Sequence, residues 1–239
     1  MKKYWPHIRL IIVMLMAAGL FSFANHRNAH RKVPADKAIE FLNEDALYIT
    51  YNSVNKLLIQ NDIPASGVLT EDLDLNKIES TLNENDMIKE ADVYLKLNGE
   101  LGARIVQRTP IARVAGNQTF YIDEDGKYMP LSAVYSARVP LVTGSVERDK
   151  LNSVYQLAAY IFHDDFLRKN VIGIHKSRDG FELRFRTDTF VLKFSDLNNL
   201  EKKFNNFKAF YQKGAKDKSL AVYAAVNLDF DNQVVCTKK

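Results

Sequence analysis

The apolar positions between residues 38 and 108 follow two different periods. Apolar residues recur every three or four positions in two segments and alternate with polar ones in the others. The first period is typical of helices and the second of half-buried strands. Asp74 lies just before the second helical segment as a candidate N-cap. The segments predict strand, helix, helix, strand, strand: 38–44, 53–61, 75–85, 89–97 and 100–108.

The two strands of this region are separated by Asn98-Gly99. This dipeptide is a strong signal for a tight hairpin, because a type I′ turn requires positive φ at both central residues. The sequence therefore predicts a hairpin with a type I′ turn at these two positions.

After Pro110 the pattern becomes mostly that of strands. Short strand-like segments include FYIDEDGKYMPLS with a turn at Asp125-Gly126, the segment VPLVTG, and a meander of VIGIHKS, FELRFRT and FVLKF. Two segments have helical spacing instead, 149–163 and 196–213. In the second, five residues are expected to face the core: Leu197, Leu200, Phe204, Phe207 and Tyr211.

The last stretch, 223–239, again has the period of a strand. Val226, Leu228 and Phe230 alternate with polar residues, and further strand-forming residues follow at 234–236. No helical segment follows that could cover a sheet edge. We therefore expect an uncovered edge strand here, protected against aggregation by its shortness and by Lys238 and Lys239.

The N-terminal segment 8–24 is apolar except for Arg9 at its edge. One interpretation is a transmembrane signal anchor, with residues 1–7 in the cytoplasm and 25–37 as an exported linker. A cleaved signal peptide is the alternative, because Ser22 and Ala24 supply small residues at a cleavage motif. The anchor is favoured because the cleavage region is weak, and both interpretations export everything after residue 24.

Charge and cysteine usage exclude several classes of protein. The net charge is +4, but residues 1–24 carry three of the basic groups and no acid, so the remainder is nearly neutral. This balance gives no support for nucleic-acid binding. Cys236 is the single cysteine, which excludes an internal disulfide and a cysteine-rich zinc site.

No set of residues predicts catalysis. His26 and His30 lie four residues apart in the polar linker without a third ligand, so a solvated tether is the favoured interpretation. His163 lies at a predicted helix end, where a cation complements the helix dipole. Phosphate-binding, nucleophile-elbow and zinc-protease motifs are absent from the sequence. We expect no enzyme activity, no catalytic or metal-binding residues and no cofactor.

Several short motifs occur in a specific order. The first three are a Leu-Asp opening at Leu73-Asp74, a helix with Ile-x-x-x-Leu at Ile78 and Leu82, and an Ala-x-Val strand at Ala91-Asp92-Val93. An Arg-x-Pro-x-Ala strand junction follows at 107–112, then a strand and an Asp-x-x-Gly turn at 120–126, and a Pro-x-x-x-Gly segment at 140–144. In this order the chain resembles the bacterial cell-division family FtsQ/DivIB over residues 70–236. The resemblance implies an α+β fold with an N-terminal transmembrane helix, a POTRA-type β-α-α-β-β domain at 38–113, and a mixed β-rich domain with a terminal edge strand at 114–239.

The resemblance also implies a function. FtsQ/DivIB-like proteins are non-enzymatic scaffolds in the bacterial inner membrane, with a cytoplasmic N-terminus, periplasmic domains and a place at the division septum. Their last strand accepts a segment of an FtsB-like bitopic partner, which acts with an FtsL-like protein, and the POTRA domain contacts other division proteins. By position, the partner-binding residues here are Phe230, Asn232, Gln233, Val234, Val235, Cys236 and Thr237.

Two departures from the family pattern bear on the predicted site. Gln107 replaces the usual Glu beside Arg108, and Asp229 stands where the family often has Arg. Contacts that depend on that arginine do not carry over, whereas backbone pairing does. For 108–110, a strand end stopped by proline is favoured over a binding role. The alternative function is a POTRA-containing transport or outer-membrane assembly factor.

Overall fold

The computed structural model describes residues 5–29, 38–43, 48–60, 73–116, 118–146, 151–230 and 233–239. The chain divides into two compact units, Met1–Gln107 and Arg108–Lys239. Each has its own hydrophobic core. The domain limits at 37/38 and 113/114 stay predictions.

Helix α1, Trp5–Ala29, covers the N-terminal apolar segment. Within the part of the chain that the structure describes, no helix is long and apolar enough to cross a membrane. The apolar run 8–24 would extend over about 26 Å as a helix, against a hydrocarbon core of about 30 Å. The predicted helix is thus present, and its predicted membrane-spanning character is not confirmed.

The first unit folds in the predicted order of elements. These elements are β1 Ala38–Phe41, α2 Tyr51–Gln60, α3 Leu75–Asn83, β2 Ile88–Leu95 and β3 Leu101–Gln107. The sheet order is β1-β3-β2, with β1 parallel and β2 antiparallel to the central strand. Apolar residues from both helices, such as Val54 and Leu82, pack on this sheet and are fully buried.

Helix α3 begins where the sequence predicts it, because the Asp74 carboxylate accepts a hydrogen bond from Lys77 N–H at 3.1 Å. The hairpin between β2 and β3 is also present, but the predicted type I′ turn is wrong. Gly99 has a positive φ of 87°, whereas Asn98 does not. Hydrogen bonds link Lys96 and Glu100, so the loop has the three-residue form in which a single left-handed residue is sufficient.

Gln107, at the end of β3, is 1% exposed and has partners for its amide. Its Oε1 accepts hydrogen bonds from the N–H groups of Tyr48 at 2.8 Å and Ile49 at 3.1 Å. A neutral amide avoids the cost of burying the charge that the family's usual Glu would bring. This departure from the family pattern therefore fixes the chain segment that precedes α2.

The second unit is built on one nine-stranded sheet. Its strands are β4 Pro110–Val114, β5 Phe120–Asp123, β6 Tyr128–Met129, β7 Leu141–Gly144, β8 Val171–Lys176, β9 Phe181–Phe185, β10 Val191–Phe194, β11 Tyr223–Asn227 and β12 Val235–Lys238. The strand order is β12-β11-β10-β9-β8-β7-β4-β5-β6. The helices are α4 Asn152–His163, α5 Asp165–Asn170 and α6 Leu200–Lys216. This mixed β-rich unit and the POTRA-type order of the first unit confirm the predicted α+β class.

The core of the second unit lies between these helices and one face of the sheet. Phe204 and Phe207 of α6 are fully buried, as their helical spacing predicts. Phe204 packs edge-on against Phe194 of β10, with ring centroids 5.9 Å apart. Helix α6 therefore covers the part of the sheet that leads to the C-terminal strands.

Candidate partner-binding edge

The terminal edge is the outer side of β12, the first strand of the nine-stranded sheet. Among the described strands, β12 pairs with β11 alone, to which it is antiparallel, and β11 in turn is parallel to β10. The predicted single terminal strand is therefore two strands, an interior one at Tyr223–Asn227 and an edge strand at Val235–Lys238. At the opposite edge of the sheet, β6 has only two residues.

The backbone of β12 directs alternate N–H groups to opposite sides. Lys239 N–H donates to Val222 O at 3.0 Å and so faces the β11 side. Because N–H direction alternates along a strand, the N–H groups of Thr237 and Val235 also face β11, and those of Cys236 and Lys238 point outward. The terminal edge therefore presents main-chain groups at Cys236 and Lys238 that an added strand can bond.

The predicted partner-binding residues divide by exposure. Phe230 is 47% and Val235 40% exposed, and Gln233 and Thr237 are also exposed. Val234 and Cys236 are partly buried against the core of the second unit. Asn232 lies outside the described residues.

Strand alternation explains this division. Val235 and Thr237 project to one face of the sheet, while Val234 and Cys236 project to the face that carries the core. An added strand could therefore contact apolar groups on both faces. The prediction from sequence omitted Lys238, although the same period of two would have included it.

The Cys236 thiol is the only free thiol in the chain. Burial raises its pKa above the ordinary value for cysteine. A raised pKa keeps the thiol protonated and weakly nucleophilic near neutral pH. Cys236 therefore acts in this strand as a small apolar side chain.

Asp229 has a local role that explains how the chain tolerates an acid at this position. Its Oδ1 accepts hydrogen bonds from Ser195 N at 2.7 Å and Ser195 Oγ at 2.9 Å. Lys203 Nζ lies 4.0 Å from the same oxygen and 2.8 Å from Asp196 Oδ1. These contacts tie the segment before Phe230 to the junction of β10 and α6.

A cavity of about 190 Å³ adjoins this junction, and Leu228, Asp229 and Phe230 form part of its wall. Its remaining lining residues come from the start of α6 and the turn before it: Asp196, Asn198, Asn199, Lys202, Lys203 and Asn206. Leu228 is buried, whereas Phe230, which the alternation placed on the same face, is exposed beside this cavity. The chain thus leaves the core face after Leu228.

Arg108 takes part in an ion pair within the second unit. Its guanidinium donates to Asp123 Oδ2 at 2.7 Å, and the two side chains are 11% and 1% exposed. Asp123 also accepts from the N–H groups of Asp125 and Lys127 in the following turn. Loss of one member of a buried pair is strongly destabilising, so this contact gives Arg108 a structural role.

Metal ligands do not cluster in the described parts of the chain: no group of three or more His, Cys, Asp or Glu side chains is arranged to hold an ion there. His26 is exposed, and His30 lies outside the described residues. His175 Nδ1 lies 3.0 Å from Thr143 Oγ1 on neighbouring strands. The candidate site is therefore the terminal edge and the apolar and main-chain groups it presents.

Comparison with known sequences agrees with this architecture. A family described as POTRA-like domain matches residues 42–106, and one described as FtsQ/DivIB, C-terminal related, matches residues 109–237, more than half of the chain. A comparison with curated proteins finds no match. The fold and the matches together define an α+β protein in which a POTRA-like module precedes a β-rich module.

The chain belongs to the FtsQ/DivIB family. This is a family of membrane-anchored, non-enzymatic cell-division proteins that interact with other division proteins. The predicted family is thereby confirmed.

Proposed function

We propose that this protein is a non-enzymatic scaffold of the cell-division machinery that captures a bitopic, FtsB-like partner by β-augmentation at the terminal edge. An FtsL-like protein joins through that partner, and the POTRA-like module contacts other division proteins. The observation that carries the proposal is β12 itself, an edge strand with one neighbour and outward main-chain groups at Cys236 and Lys238.

Main-chain pairing supplies the affinity in this mode of recognition, and alternate side chains supply selectivity. An incoming strand would cover Val235 on one face and the exposed parts of Val234 and Cys236 on the other. This arrangement does not need the arginine that the family often carries at the position of Asp229. The partner chemistry that fits is an extended segment with apolar residues on both faces.

We place the two folded units outside the cytoplasm, at the division septum. Helix α1 supports attachment to a membrane, because its apolar side chains are exposed on all sides, Leu10 by 63% and Phe21 by 76% for example. Exposed apolar side chains of this kind gain free energy when lipid covers them. A fluorescent fusion should concentrate at midcell during constriction, and uniform envelope labelling would contradict the division role and favour the transport alternative.

Photo-crosslinking tests the site directly. A photoreactive amino acid placed in turn at positions 230–237 of the full chain should capture one partner in vivo, identified by mass spectrometry. Deletion of residues 231–239 should abolish capture while the first unit stays folded. Unchanged capture by this truncated chain would remove the terminal edge from the proposal.

A matched pair of substitutions at Cys236 distinguishes the contribution of its backbone N–H to capture from the contribution of its side chain. Cys236→Pro removes an outward N–H that β11 does not use, and the proline ring obstructs an added strand. Capture should fall at least about tenfold, because each main-chain hydrogen bond contributes roughly 1 kcal/mol and the obstruction adds to that loss. Cys236→Ala keeps the N–H and should retain most of the capture.

A further inference from the structure

The helices of the second unit pack on one face of the nine-stranded sheet, and the opposite face carries a second set of side chains. On that face, paired positions run across neighbouring strands, from Arg113 on β4 to Leu141 on β7, Gly173 on β8 and Arg184 on β9. Neighbouring strands lie about 4.8 Å apart, so roughly 14 Å separate the two arginine positions. An apolar residue and a glycine lie between two cationic ones.

A cavity of about 230 Å³ opens between these positions. Leu141 is 42% and Ile172 44% exposed there, and both residues line the same cavity. The cavity is lined by Leu141, Thr143, Ile172, Gly173, Ile174, His175 and Arg184. We call this surface, together with Arg113, the arginine groove.

Gly173 keeps the groove open without being required by the backbone. Its φ is not in the left-handed region. A Cβ built there would lie 3.6 Å from Arg184 Cβ and 3.7 Å from Leu141 O, both ordinary contacts. Glycine inside a strand marks a bulge or the close approach of another group. The strand register shifts between Val171 and Gly173, and the missing side chain also leaves room for another molecule at this point.

The charge of the groove is uncompensated. Arg184 is exposed and makes no hydrogen bond or ion pair with the described residues, and Arg113 has a buried Nε without a hydrogen-bond partner among them. None of the described residues that line the cavity is acidic. Glu182, paired with His175 across the strands, is already bound to Lys193 at 2.7 Å. The groove therefore attracts a carboxylate from outside the unit.

We propose that the arginine groove is a second docking surface, for an acidic protein segment that inserts one apolar side chain over Gly173 and places carboxylates on Arg113 and Arg184. Exposed aliphatic walls favour the apolar side chain, and a guanidinium binds a carboxylate through two parallel hydrogen bonds. The surface is separate from the terminal edge, and this docking does not depend on β-augmentation there.

The test uses the full chain in mild detergent and a fluorescein-labelled peptide of 14 residues, built from Glu with Leu at helical spacing. A twin peptide with Lys in place of Glu is the control probe. We expect anisotropy titration to show binding of the acidic peptide that weakens with added salt. Arg184→Glu should weaken binding at least about tenfold, because it replaces a charged hydrogen bond by like-charge repulsion.

Four further variants keep the result interpretable. Gly173→Ala fits the backbone and Gly173→Val fills the groove, so binding should fall progressively in that order while circular dichroism stays unchanged. Lys216→Glu makes the same charge change at an exposed position of helix α6 and should alter binding less than about twofold, as is usual for distant surface charges. Cys236→Pro should leave binding unchanged.

Four results would overturn the proposal. Binding that is insensitive to both Arg184→Glu and Gly173→Val, or equal binding of the Lys peptide, would show that the groove does not select an acidic segment. Loss of binding in Cys236→Pro would assign the peptide to the terminal edge. Sedimentation showing a dimer that Arg184→Glu dissociates would assign the groove to a second copy of the chain.

Discussion

Two edge strands of this protein differ in what happens to their outward N–H groups. In β2 of the first unit, Ala91 N–H donates to Asn83 Oδ1 at 2.8 Å and Val93 N–H to Glu79 Oε2 at 3.4 Å. In β12 of the second unit, no side chain among the described residues accepts a hydrogen bond from an outward N–H. We call the edge at β2 closed, because side chains of α3 bond its outward N–H groups, and the edge at β12 open.

Helix α3 can bond two N–H groups of β2 because the spacing of its side chains along the helix matches the spacing of those groups along the strand. Glu79 and Asn83 are four residues apart on α3, a rise of about 6 Å, and Ala91 and Val93 are two residues apart on β2, a rise of about 6.6 Å. Two side chains on one helix face can therefore reach two successive outward N–H groups. The same geometry is not repeated at β12, where the neighbouring helix α6 packs its aromatic residues on the sheet face.

An edge strand alone therefore does not identify a docking site. An outward N–H bonded to a side chain must lose that bond before it can pair with a new strand, so closure opposes β-augmentation. By this reasoning the outer side of β2 is a poor acceptor for an added strand. Three measurements test this difference between the two edges.

The largest effect is expected from opening the closed edge. Asn83→Ala removes the better of the two acceptors and leaves the buried N–H of Ala91 without a partner. We expect a loss of about 1 kcal/mol of local stability and roughly five- to tenfold faster hydrogen exchange at Ala91. Glu79→Ala should have a smaller effect at Val93, because that hydrogen bond is longer.

Conservative variants supply the controls for this experiment. Asn83→Asp and Glu79→Gln keep an acceptor oxygen and should preserve slow exchange at Ala91 and Val93. Glu84→Ala changes an exposed neighbour that caps neither N–H group and should leave both rates unchanged. If exchange at Ala91 were as slow in Asn83→Ala as in the unchanged chain, the closed edge would not depend on this side chain.

The two edges also differ in how much of them could be predicted from sequence. Helix α3 and the hairpin position were predictable, because Asp74 and Gly99 act on their immediate neighbours. The turn type was wrong because the choice between two-residue and three-residue loops depends on strand register, which the dipeptide alone does not fix. The caps at Asn83 and Glu79 depend on how α3 packs beside β2, and no local pattern shows that.

For the terminal edge, the alternation of residues predicted strands, and the family resemblance pointed to this end of the sheet as the binding site, which stays a prediction. The pattern could not show that Phe230 leaves the core face, because the chain turns between β11 and β12. It also could not reveal the role of Asp229, whose partners Ser195 and Lys203 are distant in sequence. The arginine groove could not be predicted from sequence for a similar reason, since its residues come from four strands.

A smaller effect is expected at the thiol of the open edge. Burial raises the pKa of Cys236, so the thiolate fraction stays low until the pH is well above neutral. Alkylation by iodoacetamide at pH 8 should be several-fold slower in the folded chain than in urea, and slower again with the captured partner bound. Because the chain has one cysteine, mass spectrometry reports this site alone. Equal rates in folded and unfolded chains would show that β12 does not shield the thiol.

The smallest effect is expected from acidification at the junction beside Phe230. The hydrogen bond from Lys203 lowers the pKa of Asp196, so the contribution of this pair is present above the unfolded pKa of about 3.9 and is lost as the pH falls through the lower folded value. Because Asp196 is half exposed, Asp196→Asn should cost less than about 1 kcal/mol at pH 6. Thermal unfolding curves of the two chains should converge once the pH has fallen below the lowered pKa of folded Asp196. A difference that persists at acid pH would mean that the pair does not hold this junction, and that the contacts of Asp229 with Ser195 fix the segment leading to the open edge.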